Sequence, residues 1–308
     1  MISVGINTHN DNEECAATIK SIRQTTSEEV DIVVIDDGSP VPFVTSDPRV
    51  RIFRMAQRIG SGPSRHMAAI RAKFKWVLLV DSHTRFAPGW EEECHRLSGS
   101  SRPDVIWNGR CMGLSPENMD MSKAAGHYDG ARAHFVGKDG QGASQVLEGK
   151  WIPARDEDLF QVGCIMGANY FVNRDWFHSI GGMGLLNSWG SEELFVSLKA
   201  WLVGGECRVS KRLLTGHQFR KRAAHTNKTP ALIYNKFVIA RVCLPDAAAE
   251  AIGLAMPDQY PHAPDILGAQ MMLQERTPQI ELERAKIASM TTRTIEEYLE
   301  QFSVPRFW

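Results

Sequence analysis

The sequence predicts an α/β fold in which helices flank a parallel sheet, followed by a helical C-terminal extension. Short apolar runs that are typical of buried strands alternate with helical patterns over the first hundred residues. Polar clusters directly follow three apolar runs, at the position where open α/β sheets bind their ligands. We therefore divide the chain at Pro245 into a main domain, residues 1–245, and a helical extension, residues 246–308.

The predicted elements follow one another as βαβ units require. Strands are expected at residues 2–6, 30–35, 50–55, 76–80 and near 206–209, and helices at 13–25, 63–74, 88–97, 191–203 and 231–242. Residues 112–150 carry Gly, polar and short alternating stretches, which predict a hairpin-like insertion. In the extension, a polar connector containing Pro257, Pro261 and Pro264 joins the helical runs.

The composition is that of an ordinary globular protein. Of 308 residues, 43% are hydrophobic and 23% are charged, which excludes the disordered and fibrous classes. A formal net charge of -1 supplies no global field for nucleic acid or membrane, so a polyanion would have to be bound locally. No apolar run approaches the roughly 20 residues of a membrane span, and we expect no membrane partner.

The cysteines and the first residues of the sequence indicate the cellular compartment of the protein. Six cysteines are scattered without CxxC spacing, which argues against zinc knuckles and a disulfide framework. A strand that begins at Ile2 leaves no room for a signal peptide. These features favour reduced thiols and a cytoplasmic location, in a bacterial or virus-infected cell.

The tripeptide Asp81-Ser82-His83 follows the apolar run 76–80. A carboxylate and an imidazole two positions apart point the same way on extended chain, so both can bind one divalent ion. Two such ligands leave most coordination positions open, which indicates a catalytic site. The alternative is a capping Asp beside an incidental surface His.

Two further polar clusters fall at strand ends, His9-Asn10-Asp11 and Asp36-Asp37. We expect them to share a crevice with Asp81, because the carboxyl ends of parallel strands meet at one edge of a sheet. Asp36-Asp37 is interpreted either as turn chemistry or as a carboxylate that binds a base or a ribose.

Arg58 and Arg65 flank Gly60-Ser61-Gly62, a loop that leads into a helix. Backbone amides and guanidinium groups there can bind phosphate, although arginines on a helix face are often only solvated. The glycine spacing fits neither the dinucleotide motif nor the P-loop, which excludes dehydrogenase and kinase interpretations.

Two later motifs admit a structural and a functional interpretation. The segment Trp189-Gly190-Ser191-Glu192-Glu193 opens a helix, where a cap and early carboxylates are favoured in any case. A Gly-rich stretch that carries an exposed Trp is nevertheless a costly helix start unless the backbone must approach something. The segment Gly216-His217-Gln218-Phe219-Arg220 leads into basic residues that form either a solvated loop or a phosphate-binding flap.

Taken in chain order, these motifs resemble the nucleotide-sugar glycosyltransferases of the GT-A fold, most closely the catalytic domain of polypeptide N-acetylgalactosaminyltransferases. The resemblance runs from residue 2 to about residue 242. The matching segments are His9-Asn10-Asp11, Val34-Ile35-Asp36-Asp37, the stretch 54–60 with Arg65, Asp81-Ser82-His83, Met166-Gly167-Ala168-Asn169-Tyr170-Phe171, Trp189-Gly190-Ser191-Glu192 and Gly216-His217-Gln218-Phe219-Arg220.

The resemblance implies a Rossmann-like nucleotide-diphospho-sugar transferase sheet, a UDP-sugar donor, Mn²⁺ or Mg²⁺, and a retaining mechanism. It assigns the metal to Asp81, His83 and His217. The nucleotide and the diphosphate or sugar would be bound by His9, Asn10, Asp36, Arg58, Arg65, Gly167, Ala168 and Arg220. Glu192, with Trp189 and Glu193, would lie at the sugar or the incoming hydroxyl.

The chain also departs from that family. It shows no lectin domain, membrane anchor or family cysteine pattern, and Thr84-Arg85 replaces the residues that usually follow the metal triplet. The donor sugar (GalNAc, GlcNAc, Glc or Gal type), the oligomeric state and the acceptor stay open, with a glycan, a hydroxylated DNA base and a protein side chain as possibilities. The rival interpretations are a degenerate binding module without turnover, a nucleotidyltransferase and a protein Ser/Thr O-glycosyltransferase.

Overall fold

The structure, a computed structural model, describes residues 1–26, 29–124, 126–219 and 229–308. The strands in chain order are β1 (Ser3–Thr8), β2 (Asp31–Asp36), β3 (Val50–Arg54), β4 (Trp76–Asp81), β5 (Thr84–Phe86), β6 (Val105–Leu114), β7 (His127–Lys138), β8 (Ser144–Pro153), β9 (Leu159–Val162), β10 (Asn169–Asn173) and β11 (Glu206–Gln218). The α-helices are α1 (Asn12–Thr25), α2 (Ser61–Arg71), α3 (Trp90–Ser98), α4 (Arg174–Ser179), α5 (Glu192–Leu202), α6 (Thr229–Cys243), α7 (Asp246–Gln259), α8 (Ala263–Glu275), α9 (Thr277–Met290) and α10 (Ile295–Gln301).

The central sheet is mixed, whereas the sequence predicted a parallel one. Its order is β3-β2-β1-β4-β10-β6-β11-β5. The first four strands are parallel, as the βαβ pattern indicated, but β10 pairs antiparallel with both β4 and β6. An antiparallel neighbour needs no crossover helix, and the chain passes from β9 to β10 without one. The α/β class and the flanking helices are confirmed.

The insertion is a hairpin of β7 and β8, as predicted for residues 112–150. Two features of its surroundings were missed. Strand β6 precedes the hairpin, and β11 extends to Gln218, well beyond the predicted 206–209. The polar composition of β11 gave no sign of its length. The strand is long because it pairs with β5, β6 and β9, and its register shifts between Ser210 and Leu214.

The sheet brings the polar clusters of the sequence to one edge. In the parallel register Asn7 lies opposite Asp81, and Thr8 lies opposite Asp36. On the other side, β11 places His217 opposite Thr84 of the short strand β5. The ends of β1, β2 and β4 therefore meet the end of β11 in a single crevice.

The C-terminal helices pack onto the core of the sheet. Ile252, Met256, Ile280 and Tyr298 are buried in the apolar cluster that also contains strand and α5 residues. The Tyr298 hydroxyl donates a 2.6 Å hydrogen bond to the carbonyl of Gly163. The division of the chain at residue 245 stays a prediction.

Pro257 lies inside α7, which corrects the connector predicted around it. Pro257 has no N–H to donate to the carbonyl of Gly253, and the helix ends two residues later at Gln259. Pro264 occupies the first turn of α8, where its missing N–H has no partner to lose. None of the helices in the described ranges is long and apolar enough to cross a membrane.

Candidate active site

A cavity of about 490 Å³ opens at the edge of the sheet where the polar clusters meet. The predicted site residues that line it are His9, Arg58, Arg65, Asp81, His83, Gly167, Trp189, Glu193 and His217. Those that lie close by without lining it are Asn10, Asp36, Ala168 and Glu192. Arg220 and the basic stretch 220–228 fall outside the described residues.

Asp81, His83 and His217 form the group that fits a metal ion. Their ligand atoms lie within 4.8 Å of one another. Asp81 Oδ2 and His217 Nε2 are 3.1 Å apart. Adjacent ligands of one octahedral ion, each about 2.1 Å from it, are separated by about 3 Å. The arrangement therefore suits a divalent ion that accepts carboxylate and imidazole ligands, with further positions open to the cavity.

Asp11 orients His83. The His83 Nδ1 donates to Asp11 Oδ2 at 3.0 Å, and the Ser82 hydroxyl donates to the same oxygen at 2.7 Å. Metal-binding histidines usually engage a carboxylate through the nitrogen that does not face the metal. The sequence placed Asp11 in a polar cluster but gave no sign of this role, because the contact spans 72 positions.

Burial governs the protonation of His217. It lowers the pKa of the ring, against the opposing effect of the Asp81 carboxylate. A neutral imidazole follows, which is the form that binds a metal ion. Its Nδ1 has no hydrogen-bond partner among the residues that the structure describes.

Arg65 joins the metal group to the carboxylates of α5. Its buried guanidinium contacts Asp81 Oδ1 at 2.5 Å and Glu193 Oε1 at 2.9 Å, and it donates to the carbonyl of Gly167 at 2.8 Å. Burial alone would raise the pKa of Asp81, but Arg65 and His217 hold that pKa well below its usual range. Asp81 is therefore an anion at every physiological pH.

Glu192 and Glu193 have different surroundings at the start of α5. Glu192 is 1% exposed and accepts hydrogen bonds from the hydroxyl of Ser61 and, at 2.6 Å, from the amide of Gly190. Glu193 lines the cavity. Burial and the neighbouring Glu192 raise the pKa of Glu193 to about 8. Glu193 therefore keeps its proton to a higher pH than an ordinary carboxyl group does.

Gly167 is required by this packing. A Cβ on residue 167 would lie 2.3 Å from Glu193 Oε1 and 3.4 Å from the Arg65 guanidinium. Real Cβ atoms do not approach other atoms so closely, so any side chain here would displace Glu193.

Asp37, rather than Asp36, faces the cavity. Asp36 is fully buried and accepts hydrogen bonds from the amides of Ser39 and Phe43, so it organises the turn after β2. Asp37 lines the cavity and accepts from the amide of Ile59 at 2.7 Å, which fixes the loop that carries Arg58. Uridine binding by Asp36 stays a prediction.

Strained backbone surrounds the cavity. Positive φ occurs at five non-glycine positions of the described chain, and four of them line the cavity or neighbour a lining residue. These are Asn10, Leu147, Ser188 and Ser191, with φ of 53°, 49°, 57° and 60°. Such strain persists where the surrounding structure imposes it, and it concentrates at functional sites.

The β7–β8 hairpin supplies a further wall that the sequence did not reveal. Glu148, Gly149 and Trp151 line the cavity. Trp151 packs against Phe219 and Tyr128, with ring centroids 5.1 Å and 5.5 Å away. The sequence analysis predicted a hairpin-like insertion here but did not assign these residues to the site.

Known proteins resemble this chain in sequence and in fold. Residues 3–111 match the family described as Glycosyl transferase family 2. A putative polypeptide N-acetylgalactosaminyltransferase 13 of Drosophila melanogaster is 26% identical over 249 residues, which is 72% of this chain and 42% of that protein. The chain thus spans less than half the length of this relative.

Solved structures share the fold. A crystal structure of GalNAc-T7 with UDP, GalNAc and Mn²⁺ superposes with a TM-score of 0.71 and 16% identity, covering 98% of this chain and 57% of that one. Staphylococcus aureus TarS 1-349, in complex with UDP-GlcNAc, gives a TM-score of 0.53 and 14% identity, covering 97% and 91%. The GT-A fold and the resemblance to polypeptide N-acetylgalactosaminyltransferases are confirmed.

Proposed function

We propose that this protein is a divalent-metal-dependent glycosyltransferase, an enzyme of the hexosyl- or N-acetylhexosaminyltransferase type. It transfers GalNAc, GlcNAc, Glc or Gal from a UDP-sugar to an acceptor hydroxyl of a glycan, a hydroxylated DNA base or a protein. The observation that carries the proposal is the convergence of Asp81, His83 and His217 with Arg65 in the cavity of a GT-A sheet. The UDP and Mn²⁺ bound by the GalNAc-T7 structure support the same assignment.

Asp81, His83 and His217 would hold Mn²⁺ or Mg²⁺. Such an ion, when bound, neutralises charge on a diphosphate leaving group. The chain prepares the site through Asp11, which fixes the His83 ring, and through Arg65, which keeps Asp81 ionised.

The arginines and the loop at Asp37 would bind the nucleotide. Arg58 and Arg65 line the cavity and supply fixed positive charge where the phosphate oxygens become more negative. The turn at His9 is tied to the second strand, because His9 Nδ1 donates to the carbonyl of Asp37 at 2.7 Å. Arg220 and uridine binding by Asn10 and Asp36 stay part of the proposal on the resemblance alone.

Glu193 and Trp189 border the cavity where the sugar would lie, and Glu192 accepts a hydrogen bond from the amide of Gly190, next to Trp189. In the reaction, the bond from the anomeric carbon to the phosphate oxygen breaks and its electron pair leaves with UDP. The acceptor oxygen bonds to the anomeric carbon, and the hydroxyl proton passes to the departing phosphate. Retention of configuration is proposed from the similarity to polypeptide N-acetylgalactosaminyltransferases.

The location proposed for the enzyme is the cytoplasm. All six cysteines are free thiols and all are buried, which supports the location inferred from their spacing.

A donor panel tests the activity. UDP release from UDP-GalNAc, UDP-GlcNAc, UDP-Glc and UDP-Gal is measured with Mn²⁺, with Mg²⁺ and with a chelator. We expect one donor to be consumed in a metal-dependent reaction, and NMR of the product then gives the anomeric configuration. Absence of UDP release from all four donors would contradict the proposal, and UDP binding without turnover would favour a binding module instead.

A further inference from the structure

The hairpin wall of the cavity differs in chemistry from the sheet edge. Among the described lining residues, the hairpin side offers the carboxylate of Glu148 and the rings of Trp151 and Phe219, with no cationic side chain. With no cationic side chain among its described lining residues, this wall offers no partner for an anionic acceptor and favours a neutral one.

Hydrogen bonds fix one carboxylate oxygen of Glu148 and leave the other one available. Its Oε1 accepts hydrogen bonds from the ammonium group of Lys236 on α6 and, at 3.3 Å, from the amide of Gln259 on α7. Lys236 is 3% exposed and also donates to the carbonyl of Val146. Glu148 itself is 33% exposed, and its Oε2 has no partner within the described ranges. The carboxylate therefore presents a fixed acceptor to the cavity.

The backbone beside Glu148 is also constrained. Leu147 is fully buried at a φ of 49°, and its carbonyl accepts a 2.8 Å hydrogen bond from the hydroxyl of Ser191. A non-glycine residue adopts this conformation only where the surroundings impose it. The hairpin is thus tied to the start of α5, next to Glu192.

Trp151 lies close to the metal group. Its ring centroid is 6.0 Å from that of His217, and Phe219 packs against both rings with centroids 5.1 Å and 4.9 Å away. Phe219 is 40% exposed. An aromatic face beside a hydrogen-bonding carboxylate matches a pyranose, which has one apolar C–H face and hydroxyl groups at its edge.

We propose that Glu148 and Trp151 form an acceptor subsite for a carbohydrate. Trp151 stacks on a face of the sugar ring, and Glu148 Oε2 accepts hydrogen bonds from its hydroxyls, while Lys236 and Gln259 act as positioning residues. This inference rests on the proposed function and selects a glycan from the three acceptor classes. It also assigns a role to the C-terminal extension, since Gln259 ends α7 and reaches the site.

Binding of p-nitrophenyl glycosides tests the subsite directly. Saturation-transfer NMR is recorded on the full chain with Mg²⁺, with and without UDP, for both anomers of the glucoside, galactoside and their N-acetylamino analogues. We expect signals from at least one glycoside for the wild type, loss of them for Glu148→Ala and Trp151→Ala, and unchanged UDP signals throughout. Glu157→Gln, an exposed carboxylate on the loop after β8, is the matched control and retains both.

The outcomes separate this inference from the proposed function. Missing UDP signals in the wild type would count against the proposed function. The glycoside signals are also recorded without UDP, so they test the subsite independently of UDP binding. Absence of every glycoside signal in the wild type, or persistence of the signals in both variants, would overturn the subsite. Binding of a Thr-containing peptide or of hydroxymethylated DNA in its place, lost on Glu148→Ala, would overturn it equally.

Kinetic measurements then distinguish a residue that contacts the sugar from a residue that positions it. Using the donor that releases most UDP, Glu148→Gln should lower kcat/KM for the glycoside by about 10- to 100-fold and leave UDP-sugar hydrolysis within about twofold. Gln259→Leu should raise KM for the glycoside several-fold with kcat unchanged. A fall in hydrolysis that equals the fall in transfer would show that these residues act only through the fold.

Discussion

The two walls of the cavity are built in different ways. At the sheet edge, Asp81 and His83 stand at the end of one strand, and each has an oppositely charged or hydrogen-bonding partner. On the hairpin side, Glu148 is held by Lys236 and Gln259, which lie 88 and 111 positions further along the chain. Asp81 and His83 of the first wall were predicted from local sequence, whereas the second wall exists only when the C-terminal helices have packed. This difference fits our proposal that the sheet edge binds the donor and that the hairpin selects the acceptor.

We expect the largest effect on activity from Asp81→Asn, at the sheet edge. The amide is neutral, so the metal group loses its anion and the Arg65 guanidinium loses a partner. We expect metal-dependent UDP release to fall by about 10³-fold or more. UDP release from the preferred donor measures the effect, and Asp175→Asn, at a side chain that is 62% exposed, serves as the control. Equal activity of the two variants would remove Asp81 from the metal site.

A fall in pH should destabilise the folded protein through His66 on α2, the helix that also carries Arg65. Burial, together with positive charge on Lys199, His178 and Lys286, lowers the pKa of His66 to about 4. Above pH 6.5 the ring is neutral in both the folded and the unfolded protein. As pH falls from 6.5 to 4, the unfolded protein binds the proton first, so the free energy of unfolding decreases by up to about 3 kcal/mol. Urea unfolding across this range measures it.

His66→Gln gives the control for that pH dependence. The amide side chain does not titrate, so the loss of stability between pH 6.5 and 4 should shrink by the same amount. An identical pH dependence in wild type and variant would show that His66 is not the group responsible.

Two Gly→Ala substitutions should change the free energy of unfolding in opposite directions. Gly167→Ala forces Cβ against Glu193 and should destabilise the protein by about 1–3 kcal/mol, with a fall in turnover. Gly253→Ala, in α7, meets nothing within 4 Å and should stabilise it by up to about 1 kcal/mol, with activity unchanged. Thermal unfolding and UDP release measure both, and a stabilising Gly167→Ala would contradict the packing described around Glu193.

The sequence predicted what depends on neighbouring residues and missed what depends on distant ones. The strands expected at 2–6, 30–35, 50–55 and 76–80, and the polar clusters at their ends, follow from local patterns and agree with the structure. The metal-binding role of Asp81 and His83 stays a prediction. His217 lies 136 positions from Asp81 and entered only through the family resemblance. Prediction from local sequence also has a limit at Asp36 and Asp37. The two side chains are identical and adjacent, so the sequence gave no basis for choosing which one faces the cavity.

The hairpin wall marks the limit at long range. Glu148 and Trp151 sit in a stretch without clear periodicity, and no local rule relates them to α6 or α7. The antiparallel entry of β10 and the length of β11 were missed for the same reason, since partners on other strands determine both.

Calorimetric titration of UDP with and without Mn²⁺ tests the central claim most directly. The structure predicts that Mn²⁺ increases the affinity for UDP by about 10-fold or more in the wild type and that His217→Ala removes this increase. Equal UDP affinity with and without Mn²⁺, or an increase that survives in His217→Ala, would contradict the claim that Asp81, His83 and His217 bind the metal of a UDP-sugar site.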